Sequence, residues 1–170
     1  VVKTIVTSYM IDKMAESNGV ECLNVLTGFK YIGEIMTQRE GKKTFIVGGE
    51  ESYGYLVGEH ARDKDAVVAC CMFAELAAYY KDKGSSLYYV LLDLYVKYGF
   101  YKEKLISITK KGKAGADEIK SMMENYRNQT PTKLGGNRVV MLKDYKNGVS
   151  KNMDTGVVDR IDLPSSNVLQ

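Results

Sequence analysis

Apolar residues along the first half of the chain alternate between two spacings, clustered runs of strand type and recurrences every three or four positions of helix type. Residues 1 to 7, VVKTIVT, read as a strand, and Ser8 can cap a helix whose Met10, Ile11 and Met14 share a face and which Gly19 ends. VECLNVL is a second strand. TGFKYIGEIM is a turn and a helix with Phe29, Ile32 and Met36 at helical spacing, and KTFIVG is a third strand. Strand, helix, strand, helix, strand predicts an α/β fold, a mostly parallel sheet flanked by helices on both faces.

After a glycine-rich stretch, residues 64 to 84 form a helix that is apolar on nearly every side between Ala66 and Ala74, the pattern of a helix packed deep in a fold. Ser86 then caps a helix carrying Leu87, Val90, Leu91, Leu94 and Tyr98, with Gly99 placed to end it. The first domain is expected to span 1–99. Beyond it YKEKLISIT alternates like a strand, KKGKAG reads as a turn, and Ile119, Met122, Met123 and Tyr126 mark an amphipathic helix that stops before Pro131. NRVVMLKDY is a further strand, and the polar stretch from Lys146 to Gln170 reads as connecting hairpin. Residues 100–170 are expected to be an incomplete α+β piece, the start of a following domain. The chain opens on a strand without methionine and reads as a segment of something longer.

Composition narrows the function classes only a little. The formal net charge of +3, from 24 Lys and Arg against 21 Asp and Glu, calls for neither nucleic acid nor an anionic membrane as partner. No apolar run is long enough for a membrane span. Three cysteines are an odd number, and Cys70 and Cys71 are helical neighbours, which favours a reducing cytoplasm over a disulfide framework. His60 is the single histidine, so a zinc site is not expected.

Open α/β sheets bind ligands beyond the carboxyl ends of their strands, which directs attention to TGFK (Thr27 to Lys30), GGEES (Gly48 to Ser52) and HARDKD (His60 to Asp65). A glutamate and a serine two residues apart suit vicinal sugar hydroxyls, since carboxylate oxygens accept and a hydroxyl does both. Lys64 and Lys30 suit a phosphate. Taken alone, GGEES reads more readily as a solvated loop with Ser52 capping a turn, Thr27 and Gly28 as a helix start, and His60 as a surface or capping residue. Glu50 is expected to be exposed at the strand end, so that Glu50→Gln would barely change stability.

GGEESYG, with TGFKYIG upstream and HARDKDAVVA downstream, resembles the third domain of the α-D-phosphohexomutases, the phosphoglucomutase/phosphomannomutase family, and the likeness continues into KGKAGADEIKSMM. The resemblance implies an enzyme of four domains that interconverts hexose 1-phosphate and hexose 6-phosphate through a phosphoserine and a bisphosphorylated sugar. It implies Mg2+ held by a domain outside this chain, a hexose 1,6-bisphosphate activator, a hexose phosphate substrate and the remaining domains as partners. By the same resemblance Glu50 and Ser52 hold ring hydroxyls, Gly49 and Glu51 shape their loop, Thr27 and Gly28 line the sugar, and Lys64, with Lys30, serves phosphate. No role is carried over to His60, and Ala66 departs from the glycine many relatives have there. The serine and metal loops are missing, so the chain is expected to be inactive alone. The alternative is a non-catalytic sugar-phosphate binding or assembly module.

Overall fold

The computed structural model describes residues 1–170, which divide into two units, 1–104 and 105–170. In the first unit β1 (Val2–Thr4) lies between two parallel neighbours, β2 (Leu23–Val25) and β3 (Val47–Glu50). β3 then turns back into an antiparallel β4 (Gly54–Val57), giving the order β2-β1-β3-β4. The mixed α/β architecture is the one the periodicity predicts. Two details differ. The third strand starts at Val47 rather than Lys43, and β4 falls where the glycines read as loop, because pairing with β3, not local propensity, makes it a strand.

Strand alternation divides the side chains between two faces. Val2, Val25 and Leu56 turn toward α2 (Phe29–Arg39), where Phe29, Ile32, Met36 and Phe45 complete the buried cluster. On the other face Lys3 and Asn24 both reach Asp12 of α1 (Met10–Ser17): Lys3 Nζ lies 2.9 Å from one carboxylate oxygen, and Asn24 donates to the other at 2.9 Å. Lys3 is only 1% exposed, and an ammonium so enclosed must be paired to be tolerated. Burial pushes the Asp12 carboxyl upward, but the contacts from Asn24 and Lys3 outweigh it and leave it below the usual carboxylate range.

Asp65 caps α3 (Ala66–Asp82), accepting from the Val68 N–H at 3.0 Å, and Ser86 caps α4 (Leu87–Tyr98) as its sequence suggests. The expectation that α3 lies deep is not met. None of its residues is buried, and Phe73 is 54% exposed. Within this unit α3 meets β4 on one flank, where Ala69, Met72, Phe73 and Leu76 face Val47, Tyr55 and Val57, and α4 on another, so an all-round apolar surface is only partly covered. The alternating segment 101–109 forms no strand.

The second unit holds α5 (Gly112–Asn128), a short hairpin of β5 (Lys133–Leu134) and β6 (Asn137–Arg138), and an antiparallel meander of β7 (Met141–Asp144), β8 (Val149–Asn152) and β9 (Val158–Arg160). The basic run read as a turn thus enters the first turns of α5, and NRVVMLKDY splits into two strands. Arg127 on α5 ties this unit together. Its Nε donates to Asp144 at 3.1 Å and its Nη2 to Asn167 at 2.5 Å.

Ile32 is fully buried at the centre of the α2 cluster. Truncating Ile32→Ala is expected to destabilise the chain by about 2–5 kcal/mol, measured as a fall in the urea midpoint.

Candidate functional site

The carboxyl ends of three parallel strands lie side by side, and each leads into a segment the sequence singles out. β2 leads to Thr27 and Gly28, β3 ends on Glu50, and β1 ends on Thr4 with Thr7 just beyond. Glu50 is the centre of this edge. Contrary to expectation it is only 4% exposed. Its Oε1 accepts the Gly28 N–H at 2.6 Å and its Oε2 lies 3.1 Å from Lys64 Nζ. The GGEES stretch is therefore the end of a strand and a hairpin turn, with Glu50 paired across to Gly54, rather than a free loop.

Lys64 comes from the segment after β4, and two close approaches bring it there. Near Gly58 that segment is fastened to the residues before β3: the Gly58 N–H donates to Ile46 at 3.0 Å, and the Glu59 carboxylate accepts from the Phe45 N–H at 2.7 Å. It then crosses α2 at Gly33, where an added Cβ would sit 2.6 Å from the Arg62 carbonyl oxygen. Finally the Lys64 stem lies on Gly54, where a Cβ would meet Cε at 2.5 Å. Only glycine permits backbone and stem to come so near. The Lys64 side chain is 44% exposed, so its ammonium is paired with Glu50 yet reachable from water.

The other predicted residues separate. Glu51 turns to β1, its Oε2 accepting from the Thr4 and Thr7 hydroxyls at 2.9 Å each. Ser52, two residues beyond Glu50, and Thr27, the neighbour of Gly28, are both exposed, and Gly49 lies in the ladder opposite Tyr55. Lys30 is exposed, with Nζ 4.9 Å from the centre of the Tyr31 ring. His60 Nε2 lies 2.8 Å from Asp65 Oδ2. Thr4 and Thr7 escaped the sequence reading; their only signal is a pair of hydroxyls at a strand end. No group of three His, Cys, Asp or Glu side chains is placed to hold a metal ion, so this chain does not fit Mg2+ by itself.

A buried carboxylate whose two oxygens both face donors can do two things: fix those donors, and accept from a ligand hydroxyl with its remaining lone pairs. In Glu50→Gln the amide nitrogen must face either the Gly28 N–H or the Lys64 ammonium, donor against donor. A loss of about 1–3 kcal/mol in the stability of the chain is expected from urea unfolding, in place of the neutral outcome the sequence implied. Asp65 gives a pH test. The Val68 N–H, and after it His60, hold its carboxyl below the usual range. A lowered folded pKa means that its stabilising contribution is present above the unfolded pKa and lost as pH falls through the folded one. Asp65→Asn keeps a capping oxygen without the charge, so the difference in urea midpoint between parent and variant should shrink as pH falls from 5 to 2.

Residues 1–98 match the family described as phosphoglucomutase/phosphomannomutase, alpha/beta/alpha domain III. Over 99% of its length the chain is 32% identical to a phosphoglucomutase of Staphylococcus saprophyticus and 33% identical to one of Staphylococcus aureus strain MRSA252, and it spans 31% of each of those proteins. Among solved structures it resembles pp63/parafusin, a phosphoglucomutase from Paramecium in its open form, with a TM-score of 0.56 and 20% identity, over 94% of this chain and 26% of that one. The likeness in fold, the matched domain and the relatives lead to one conclusion: the chain belongs to the phosphoglucomutase/phosphomannomutase family.

Proposed function

We propose that residues 1–99 are the sugar-phosphate recognition domain of a phosphohexomutase, and that residues 100–170 begin the domain after it. The observation that carries this reading is the Glu50–Lys64 pair at the carboxyl edge, a sugar-hydroxyl acceptor and a phosphate cation 3.1 Å apart beside the Thr27–Gly28 turn. Glu50 and Ser52 take ring hydroxyls, Gly49 and Glu51 shape the turn, Thr27 and Gly28 line the sugar, and Lys64 neutralises phosphate. Lys30, set apart on Tyr31, serves phosphate from the rim.

An intermediate that exchanges its two ends must be held in two orientations by the same groups. A carboxylate fixed from behind by Gly28 and Lys64 meets that need, because it accepts from either of two neighbouring hydroxyls without moving. The phosphoserine, the Mg2+ and the bisphosphate activator belong in this proposal to the rest of a longer polypeptide. A cytoplasmic setting accords with three unpaired cysteines, two of them exposed.

Two assays test the reading. The chain alone should show no turnover of glucose 1-phosphate in the presence of Mg2+ and the bisphosphate, since phosphoryl transfer needs nucleophile, metal and clamps in one geometry. In the longer polypeptide, Lys64→Ala should lower kcat/KM by roughly tenfold to a hundredfold, the loss of a charge-assisted contact, and Ser52→Ala should lower it with the melting temperature unchanged. Turnover by the chain, or parent kinetics in both variants, overturns the proposal.

A further inference from the structure

We propose that Thr4 and Thr7 are positioning residues for the sugar-binding turn, an inference that rests on the functional reading above. The turn from Glu51 to Tyr53 carries a conformational cost: Tyr53 has a φ of 62°, is the one non-glycine residue of the chain with positive φ, and is 94% exposed. A side chain in that region is disfavoured, and it persists only where the surroundings fix the backbone on both sides. Tyr53 itself is too exposed to provide that from its own packing.

The constraint comes from the two glutamates, which leave the turn in different directions. Glu50 is tied to Gly28 and Lys64. Glu51 is tied to β1: the hydroxyls of Thr4 and Thr7, 2.8 Å apart, converge on its Oε2. Thr4 is fully buried. Thr7 is set by its own backbone, its N–H donating to the Thr4 carbonyl at 3.1 Å and its carbonyl accepting from Lys3 Nζ at 3.1 Å. Lys3 in turn is enclosed and paired with Asp12. A continuous path thus runs from the α1 face of the sheet, through an otherwise unused buried lysine, to the turn that presents Ser52. Glu51 spends an oxygen on the two hydroxyls rather than offering it to a ligand. Its part, and theirs, is to keep the turn in one shape for both orientations of the sugar, where a displacement of about 1 Å is enough to cost much of the rate.

The test pairs two substitutions of nearly equal shape. Thr4→Val with Thr7→Val removes both hydroxyls, Thr4→Ser with Thr7→Ser keeps them, and Thr7→Val alone serves if the first pair does not fold. Backbone 15N relaxation on this chain should show Ser52 and Tyr53 losing order in the Val pair, from rigid values of about 0.85 to below about 0.6, and keeping it in the Ser pair. In the longer polypeptide the Val pair should lose roughly tenfold or more in kcat/KM while the Ser pair stays within about twofold of the parent. An ordered turn in the Val pair overturns the inference, as does a disordered turn with parent kinetics. Glu50→Gln in the same assay separates the two claims. If it retains parent kinetics the sugar reading fails; if it is impaired and the Val pair is not, only the role of Thr4 and Thr7 fails.

Discussion

Everything at the carboxyl edge depends on satisfying one enclosed carboxylate. Glu50 at 4% exposure would be intolerable as a lone charge, and the chain meets that cost with a backbone N–H from one turn and an ammonium from another. Because those partners lie 22 and 14 residues away, the pairing also draws the start of α2 and the segment after β4 onto the end of β3. The group that would recognise a ligand is the same group that gathers its surroundings.

The sheet solves a similar problem on its other face. Lys3 sits in β1, one of the two inner strands, at 1% exposure, and Asp12 with the Thr7 carbonyl absorbs its charge. The second unit repeats the device independently: Arg127 and Asp144, both nearly enclosed, join α5 to β7, and the Arg127, Asn147 and Lys146 contacts overcome the burial that would raise the Asp144 carboxyl, leaving it below its ordinary value. In each unit a paired charge specifies how a helix meets a strand, where apolar contact alone would allow sliding.

How far the sequence could be read follows from how local each cause is. α2 was legible because Phe29, Ile32 and Met36 mark its face, and α4 because Ser86 and Gly99 mark its ends. β4 was hidden, since Gly54-Tyr55-Leu56-Val57 is too short and glycine-flanked to read as a strand until β3 pairs with it. The segment 101–109 is the converse: its alternation is strand-like, but alternation describes a face to be buried and supplies no partner for the backbone. At the site, Gly28, Glu50 and Lys64 were singled out by the family resemblance that their motifs carry, the residues alone favouring a solvated loop and a helix start, and the structure joins them. That Glu50 is enclosed was not legible, and neither were Thr4 and Thr7, because their contacts with Glu51 span 47 and 44 residues and leave no periodic trace.

The crossing at Gly33 sets a length scale for the electrostatics of this edge. The segment carrying Lys64 rests on α2 through a residue with no side chain, and the lysine stem rests on another at Gly54, so the separation of ammonium and carboxylate is gauged by two missing methyl groups. Coulomb attraction varies inversely with distance, and lifting the cation by about 1 Å from 3.1 Å weakens it by roughly a quarter before any solvent enters. A substitution at Gly33, on the buried face of α2 and well away in sequence from both charges, therefore acts as a spacer that retunes the charge balance at the carboxyl edge.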